Sequence, residues 1–292
     1  MKNNITTIDL LFICIISILL ILILIGSVKY FYLTLEEKNI HNEGDKQNMG
    51  LLFEKIKDKK FILDKLEEYK EKTNCKGVVL GVSGGKDSTV VAMLSKLVWG
   101  DNVIGVIMPN GTQKDIDDAI QVCQVLNIEY KIINIKETYD TLLKNMPIEI
   151  SDKSKTNIPP RLRMTTLYAI AQTLGYRVIG TGNASERYIG WCTKFGDMAC
   201  DLNPIAHLTC SEVIELGKGL CGEFNLPESL ILKTPADGLT GKSDEENFGF
   251  TYEQLDNYLR CVSPLHPEIK NKIENMHKYS EHKLRMPYTL IR

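Results

Sequence analysis

"VVLGVSGGKDSTVVAML" occupies residues 78–94. An apolar, β-branched run ends at the turn Ser83-Gly84-Gly85, and the text beyond it has helical spacing. A buried strand that breaks on a glycine pair and opens a helix is the geometry of a phosphate cradle. Gly84 and Gly85 allow positive φ and close approach of a ligand to the backbone. Successive amides there form an anion nest, reinforced by the N-terminus of the following helix. Ser83 and Ser88 add hydroxyl donors. The spelling is not the G-x-x-x-x-G-K-[ST] loop. Asp87 would repel phosphate unless a metal lay between them, so it implies Mg²⁺. A tight turn with no ligand accounts for the glycines, but not for two serines and an aspartate around them.

Outward from this stretch the chain alternates. Residues 52–69, "LFEKIKDKKFILDKLEEY", have helical spacing, and 77–82, "GVVLGV", reads as a buried strand. Then come a helix at 88–98, a strand at 102–108, a helix at 114–126 and a strand at 128–135. Pro159 and Pro160 sit where a helix should start, with 161–174 continuing it, and 177–181 reads as a fourth strand. Thr209 with Glu212, and Thr251 with Gln254, have capping-box spacing ahead of two further helices. Strands separated by single helices imply right-handed crossovers, hence a doubly wound parallel sheet with helices on both faces. Ligands in such folds bind at the carboxyl ends of the strands, near the topological switch point.

The 292 residues suit one or two globular domains. The net charge is −2 with both signs interspersed, so no basic stretch argues for a nucleic-acid partner. None of the eight cysteines forms a C-x-x-C pair, and they read as reduced, packed thiols. The N-terminus departs from this pattern. Residues 8–28, "IDLLFICIISILLILILIGSV", are long and apolar enough to span a bilayer as a helix, and 36–50 read as a polar linker. Two readings follow for 1–48: a single-span membrane anchor, or upstream sequence preceding initiation at Met49. The expected organisation is therefore an extension over 1–48 and a catalytic domain over 49–292.

"SGGKDS" (83–88) resembles the pyrophosphate-loop signature of enzymes that cut ATP between its α- and β-phosphates. Further segments narrow the resemblance: "MPNGTQKDIDDA" (108–119), "NIPPRLRMTTLYAIAQ" (157–172), "GTGNASERYIGWCTKFGDMACDLNPIAHLT" (180–209), "DEENFGFTYEQLDNYL" (244–259) and "EHKLRMP" (281–287). Together they resemble the ammonia-dependent NAD synthetases over roughly 51–292. That resemblance implies an adenine-nucleotide α-hydrolase-like fold and a homodimer. It also implies ATP-dependent amidation of nicotinic acid adenine dinucleotide (deamido-NAD) by ammonia, through an acyl-adenylate, with release of AMP and pyrophosphate. ATP and dinucleotide as substrates place the catalytic domain in the cytosol.

Residue by residue, the resemblance implies that Gly81, Val82, Ser83, Gly84, Gly85, Lys86, Asp87, Ser88 and Thr181 contact ATP. Asp87 and Glu186 match the Mg²⁺ ligands. Arg161, Lys194, Asp201, His282 and Lys283 match the dinucleotide contacts, with Arg163 ranked below Arg161. Two positions depart from the pattern. Cys210 stands where many relatives carry a basic ATP contact, and Ala236 where many have Thr. Lys86 or Lys242 is the cation that could compensate at Cys210. Residues 1–50 are too few for the amidase domain of glutamine-using relatives, so free ammonia is the expected nitrogen source unless a separate amidase subunit delivers it. Two other readings stand beside this one. A tRNA thiolase of the same loop class would need cysteine pairs and a basic face. A membrane-tethered nucleotide binder without catalysis would not need Asp87 and Glu186.

Overall fold

Among the described residues four strands, β1 (Val78–Gly81), β2 (Val103–Ile107), β3 (Glu129–Ile132) and β4 (Arg177–Val178), make one parallel sheet ordered β3-β2-β1-β4. A computed structural model describes residues 57–113, 115–233 and 243–286. The candidate span 8–28, the linker and the 52–56 start of the first expected helix lie outside these residues. Among the described residues no helix is long and apolar enough to cross a membrane. They fall within one compact unit, Phe53–Arg292.

Helix α1 (Lys59–Thr73) starts on Asp58, whose carboxylate accepts from the Lys60 amide at 2.6 Å, and stops at Asn74 in the left-handed region. It leads through Gly77 to β1 (Val78–Gly81), followed by α2 (Lys86–Trp99) and β2 (Val103–Ile107). Next come α3 (Ile116–Val125), β3 (Glu129–Ile132), α4 (Lys136–Lys144) and the short α5 (Asp152–Lys155). Helix α6 (Ile158–Leu174) carries the two prolines in its first turn, where missing N–H groups cost no helical bond.

Strand β4 (Arg177–Val178) is shorter than the expected 177–181. Beyond Val178 the chain pairs on its other side with the 201–203 segment, through an Ile179–Leu202 bridge and a Gly180 N–H to Leu202 carbonyl bond of 2.7 Å. Helices α7 (Ala184–Ile189), α8 (Cys210–Phe224), α9 (Asp244–Phe248), α10 (Tyr252–Leu259) and α11 (Pro267–Leu284) complete the order. Both expected capping boxes are present, Thr209–Glu212 on α8 and Thr251–Gln254 on α10.

Alternation along the strands explains why helices cover both faces. Val78, Leu80, Val82, Val103 and Ile107 enter one core with Ile62, Leu66, Val91, Leu94, Val122 and Leu220, from α1, α2, α3 and α8. Val79, Ile104, Val106 and Val178 enter a second with Met164, Leu167 and Ala171 of α6. Each fully buried aliphatic side chain contributes roughly 1.5–3 kcal/mol to that assembly. A third, more aromatic core joins Tyr188 and Ile189 of α7 to Phe248, Tyr252, Leu255 and Ile273 of α9 to α11. The chain leaves β1 towards β2 and β3, then returns to the opposite side of β1 at β4. The switch point therefore lies between β1 and β4, where the 82–85 and 180–183 loops emerge side by side.

Candidate active site

At the end of β1 the turn needs glycine for two reasons. Gly84 has φ +77°, and a Cβ there would sit 2.9 Å from the Asp115 carbonyl and 3.0 Å from the Ala119 amide. The serines shape the loop from inside. Ser88 Oγ accepts from the Ser83 amide at 3.2 Å, lies 3.0 Å from Ser83 Oγ and donates to the Gly85 carbonyl at 3.1 Å. Gly85 is the N-cap of α2, and no side chain caps this helix start. Its first-turn amides are thus an anion-binding end beside two glycines.

The second loop meets the first through Asn183, which caps α7. Its Oδ1 accepts from the Glu186 amide at 3.0 Å, while Glu186 Oε2 accepts from the Asn183 amide at 3.3 Å. Asn183 Nδ2 then donates to Asp87 Oδ1 at 3.0 Å. One buried asparagine therefore brings Asp87 and Glu186 together. Asp87 Oδ2 accepts from Lys86 Nζ at 2.7 Å, and Lys86 is only 5% exposed. The ammonium lies 5.6 Å from the ring centroid of Tyr252. Tyr252 donates to Asp244 at 2.9 Å, and Trp191 Nε1 donates to the other oxygen of Asp244 at 3.2 Å.

The electrostatics follow from this crowding. Burial opposes the charge of Lys86, but Asp87 and Glu186 outweigh it and raise the Lys86 pKa. Glu186 keeps part of its surface yet is ringed by protein. Burial, then the charge of Asp87, push its carboxyl up to about 8 against the pull of Lys86. Two carboxylates joined through one asparagine beside an anion cradle are hard oxygen donors suited to Mg²⁺, which keeps several waters and takes substrate phosphates. Among the described residues no three His, Cys, Asp or Glu gather into a fuller cage, so water and substrate would supply the remaining ligands.

Four of the five residues matched to dinucleotide binding gather at one rim. Arg161 Nε, at the start of α6, donates to the Lys194 carbonyl at 3.2 Å. Lys194 Nζ donates to the His282 carbonyl at 2.5 Å. Lys283 Nζ donates to the Gly190 and Cys192 carbonyls at 2.7 and 2.9 Å. The fifth, Asp201, lies elsewhere. Its carboxylate accepts from the Val178 amide at 2.8 Å and from the Tyr168 hydroxyl at 3.4 Å. Tyr168 is seven residues along α6 from Arg161, a rise of about 10 Å. In this arrangement Asp201 pins the 201–203 segment to β4. Arg163 is also turned away from the rim, its Nε donating to the Met108 carbonyl at 3.0 Å.

Of the two departing positions, Cys210 is 2% exposed and packs in the third core, where burial raises its thiol pKa strongly. It is a packing residue here, and its amide donates to Ser185 Oγ at 2.9 Å. Ala236 and Lys242 lie outside the described residues. Thr181 is half-buried where the β4 segment ends. Sequence reasoning missed Asn183, Tyr252 and Asp244. The Asn183–Glu186 spacing is itself a capping-box signal, readable beside the two that were read. The Lys86–Tyr252 contact, between residues 166 positions apart, has no local signal.

Residues 59–287 match the NAD synthase family. An NH₃-dependent NAD⁺ synthetase of Finegoldia magna is 40% identical over 220 residues, covering 75% of this chain and 89% of that protein. One from Thermococcus sibiricus is 38% identical over 242 residues, covering 78% and 92%. Among solved structures, NMN synthetase from Francisella tularensis superposes with a TM-score of 0.74 at 34% identity, covering 80% of this chain and 97% of that one. The NH₃-dependent NAD synthetase of Campylobacter jejuni, in complex with nitrate ion, gives 0.64 at 31%, covering 80% and 96%.

Proposed function

The chain belongs to the NAD synthase family, and from that premise we infer that it makes NAD from deamido-NAD, ATP and ammonia. The observation that carries this reading is the family match over 59–287, with its phosphate loop at the β1/β4 switch point. The chemistry needs such a crevice because a carboxylate is a poor electrophile. Its oxygen attacks the α-phosphorus of ATP, and pyrophosphate leaves. Ammonia then attacks the acyl carbon of the adenylate, AMP leaves, and the nitrogen sheds a proton.

In our assignment the amides of 83–88 and the Lys86 ammonium hold the departing phosphates, and Thr181 contacts ATP. Asp87 and Glu186 hold Mg²⁺, which when bound supplies positive charge to the phosphate oxygens. Arg161, Lys194, His282 and Lys283 hold the dinucleotide. Asp201 joins them only if a dinucleotide extends along α6 to Tyr168. The catalytic domain is assigned to 49–292 and to the cytosol, and a homodimer is the assembly the family resemblance favours. For residues 1–48 the apolar run at 8–28 favours an anchor, while the start of the family match beyond Met49 favours initiation there. The mass and N-terminus of the native protein decide between retention of that run and initiation at Met49.

A second reading, amidation to NMN, rests on the likeness to the Francisella tularensis NMN synthetase. The test supplies purified protein with ATP, Mg²⁺ and ammonium, and either deamido-NAD or the mononucleotide acid. NAD, AMP and pyrophosphate in equal amounts, with a higher kcat/KM for the dinucleotide, are expected. A preference for the mononucleotide would transfer the assignment to NMN, and AMP without amide product would overturn both.

A further inference from the structure

Both oxygens of Asp87 accept hydrogen bonds from neighbouring side chains. Lys86 Nζ holds Oδ2 at 2.7 Å, and Asn183 Nδ2 holds Oδ1 at 3.0 Å. The lysine is oddly placed for a residue whose only task is stability. It is the first residue of α2, and helix N-termini disfavour cations by their dipole. Its side chain is 4% exposed, so water gives its charge little help. What holds it is the Asp87 carboxylate and, 5.6 Å away, the face of Tyr252. The same position is favourable once an anion lies on the α2 N-terminus. The four-carbon stem lets the ammonium swing there by rotamer changes alone.

We propose that Lys86 is an internal counter-cation that occupies the divalent metal's place on Asp87 in the empty enzyme, and that ATP releases Asp87 by drawing this ammonium onto its phosphates. The inference rests on the reading of Asp87 as a metal ligand. It makes metal and nucleotide binding interdependent. Without nucleotide, the ammonium repels a divalent cation and blocks one carboxylate oxygen. With nucleotide, the lysine follows the phosphates and the oxygen opens. Asn183 stays with Glu186 through the α7 capping box and keeps the two carboxylates in register. Because coupling is reciprocal, metal and ATP each strengthen the other. Lys86 acts on the metal as a positioning residue, and on ATP as a direct contact.

The test uses binding rather than turnover. Free Mn²⁺ is followed by electron paramagnetic resonance, and ATP binding in excess chelator by calorimetry, for the wild type and for Lys86→Gln and Lys86→Met. The methionine variant keeps the stem against Tyr252, so a folding failure of one variant leaves the other, with Tm and near-UV circular dichroism as checks. Neutral residue 86 should raise Mn²⁺ affinity without nucleotide by about tenfold or more, and lower metal-free ATP affinity by about tenfold or more. Unchanged Mn²⁺ affinity in both folded variants would overturn the proposal, as would unchanged ATP affinity. An Asp87→Asn arm with α,β-methylene-ATP separates this failure from that of the metal assignment. If Mn²⁺ binding beside the nucleotide is the same in Asp87→Asn as in wild type, Asp87 is not a ligand and both ideas fall. If it drops about tenfold in Asp87→Asn but ATP-free binding ignores residue 86, only the counter-cation idea falls.

Discussion

The β1/β4 crevice and the rim at Arg161, Lys194, His282 and Lys283 both carry cations, but they hold them differently. In the crevice Lys86 is buried and paired with a carboxylate. At the rim, Arg161, Lys194 and Lys283 donate to backbone carbonyls. A carbonyl is a neutral partner, so these hydrogen bonds do not themselves neutralise the three cations, and Asp197 is the carboxylate that interacts electrostatically with Lys283. In the crevice the Lys86 charge is instead met directly by the Asp87 carboxylate. On the function proposed above, the difference separates a place where charge must be exchanged during reaction from one where charge only attracts and orients.

If that contrast is right, the largest effect comes from the crevice. Asp87→Asn should retain the fold but lower kcat by about 10³-fold, or about 4 kcal/mol, as expected for loss of a preorganised electrostatic partner. Steady-state NAD formation with a matched Tm measures it, and near wild-type turnover at ordinary Mg²⁺ would erase the distinction between the regions.

The next test concerns a buried pair with no assigned chemistry. Arg260 donates to Glu212 through Nε at 2.8 Å and also to the His207 carbonyl at 2.8 Å. Burial works against the Glu212 charge, but the hydrogen bond and charge of Arg260 outweigh it and hold the carboxyl below its ordinary 4.5. Arg260→Met should therefore cost stability of about 3 kcal/mol at pH 7 with little change in KM. A depressed carboxyl stabilises the fold above its unfolded pKa, so the gap between wild type and variant should be full above pH 4.5 and shrink as pH falls below it. Denaturant unfolding at pH 7 and pH 3.5 checks the sign. A gap that widened in acid would refute the assigned role of Arg260.

At the rim, Lys283→Ala should raise the deamido-NAD KM about tenfold, the loss of one charge-assisted bond, while leaving the ATP KM alone. An equal rise in both, or a large fall in Tm, would make Lys283 a tie between α11 and the 190–192 turn instead. Lys194→Ala, half-buried and screened, should raise the same KM only about threefold. A larger effect there than at Lys283 would reverse the order within the rim.

Much of this was legible in the chain. Strand and helix periods, the Pro159–Pro160 start and two capping boxes marked the alternation, because these signals are local to a few residues. "SGGKDS" read as a phosphate cradle for the same reason, since a buried strand, a glycine pair and a helix start follow one another within a few residues. Pairing order was not local. Only the folded sheet set β4 against β1, and so brought Asn183 and Glu186 to Asp87 across 96 and 99 positions of chain. Likewise, the family resemblance assigned Asp201 to the dinucleotide, and only the fold shows that its carboxylate also holds the edge of β4. Cys210 looked like a lost cation, and burial in an aromatic core makes it a packing residue, with Lys86 the nearby positive charge. Sequence by itself determined which residues can be strand, helix, turn and charge, because propensity and period act over a few neighbours. Tertiary structure alone decided which charges face each other and which are buried, because pairing energy depends on distance and on exclusion of water, and neither is written along the chain.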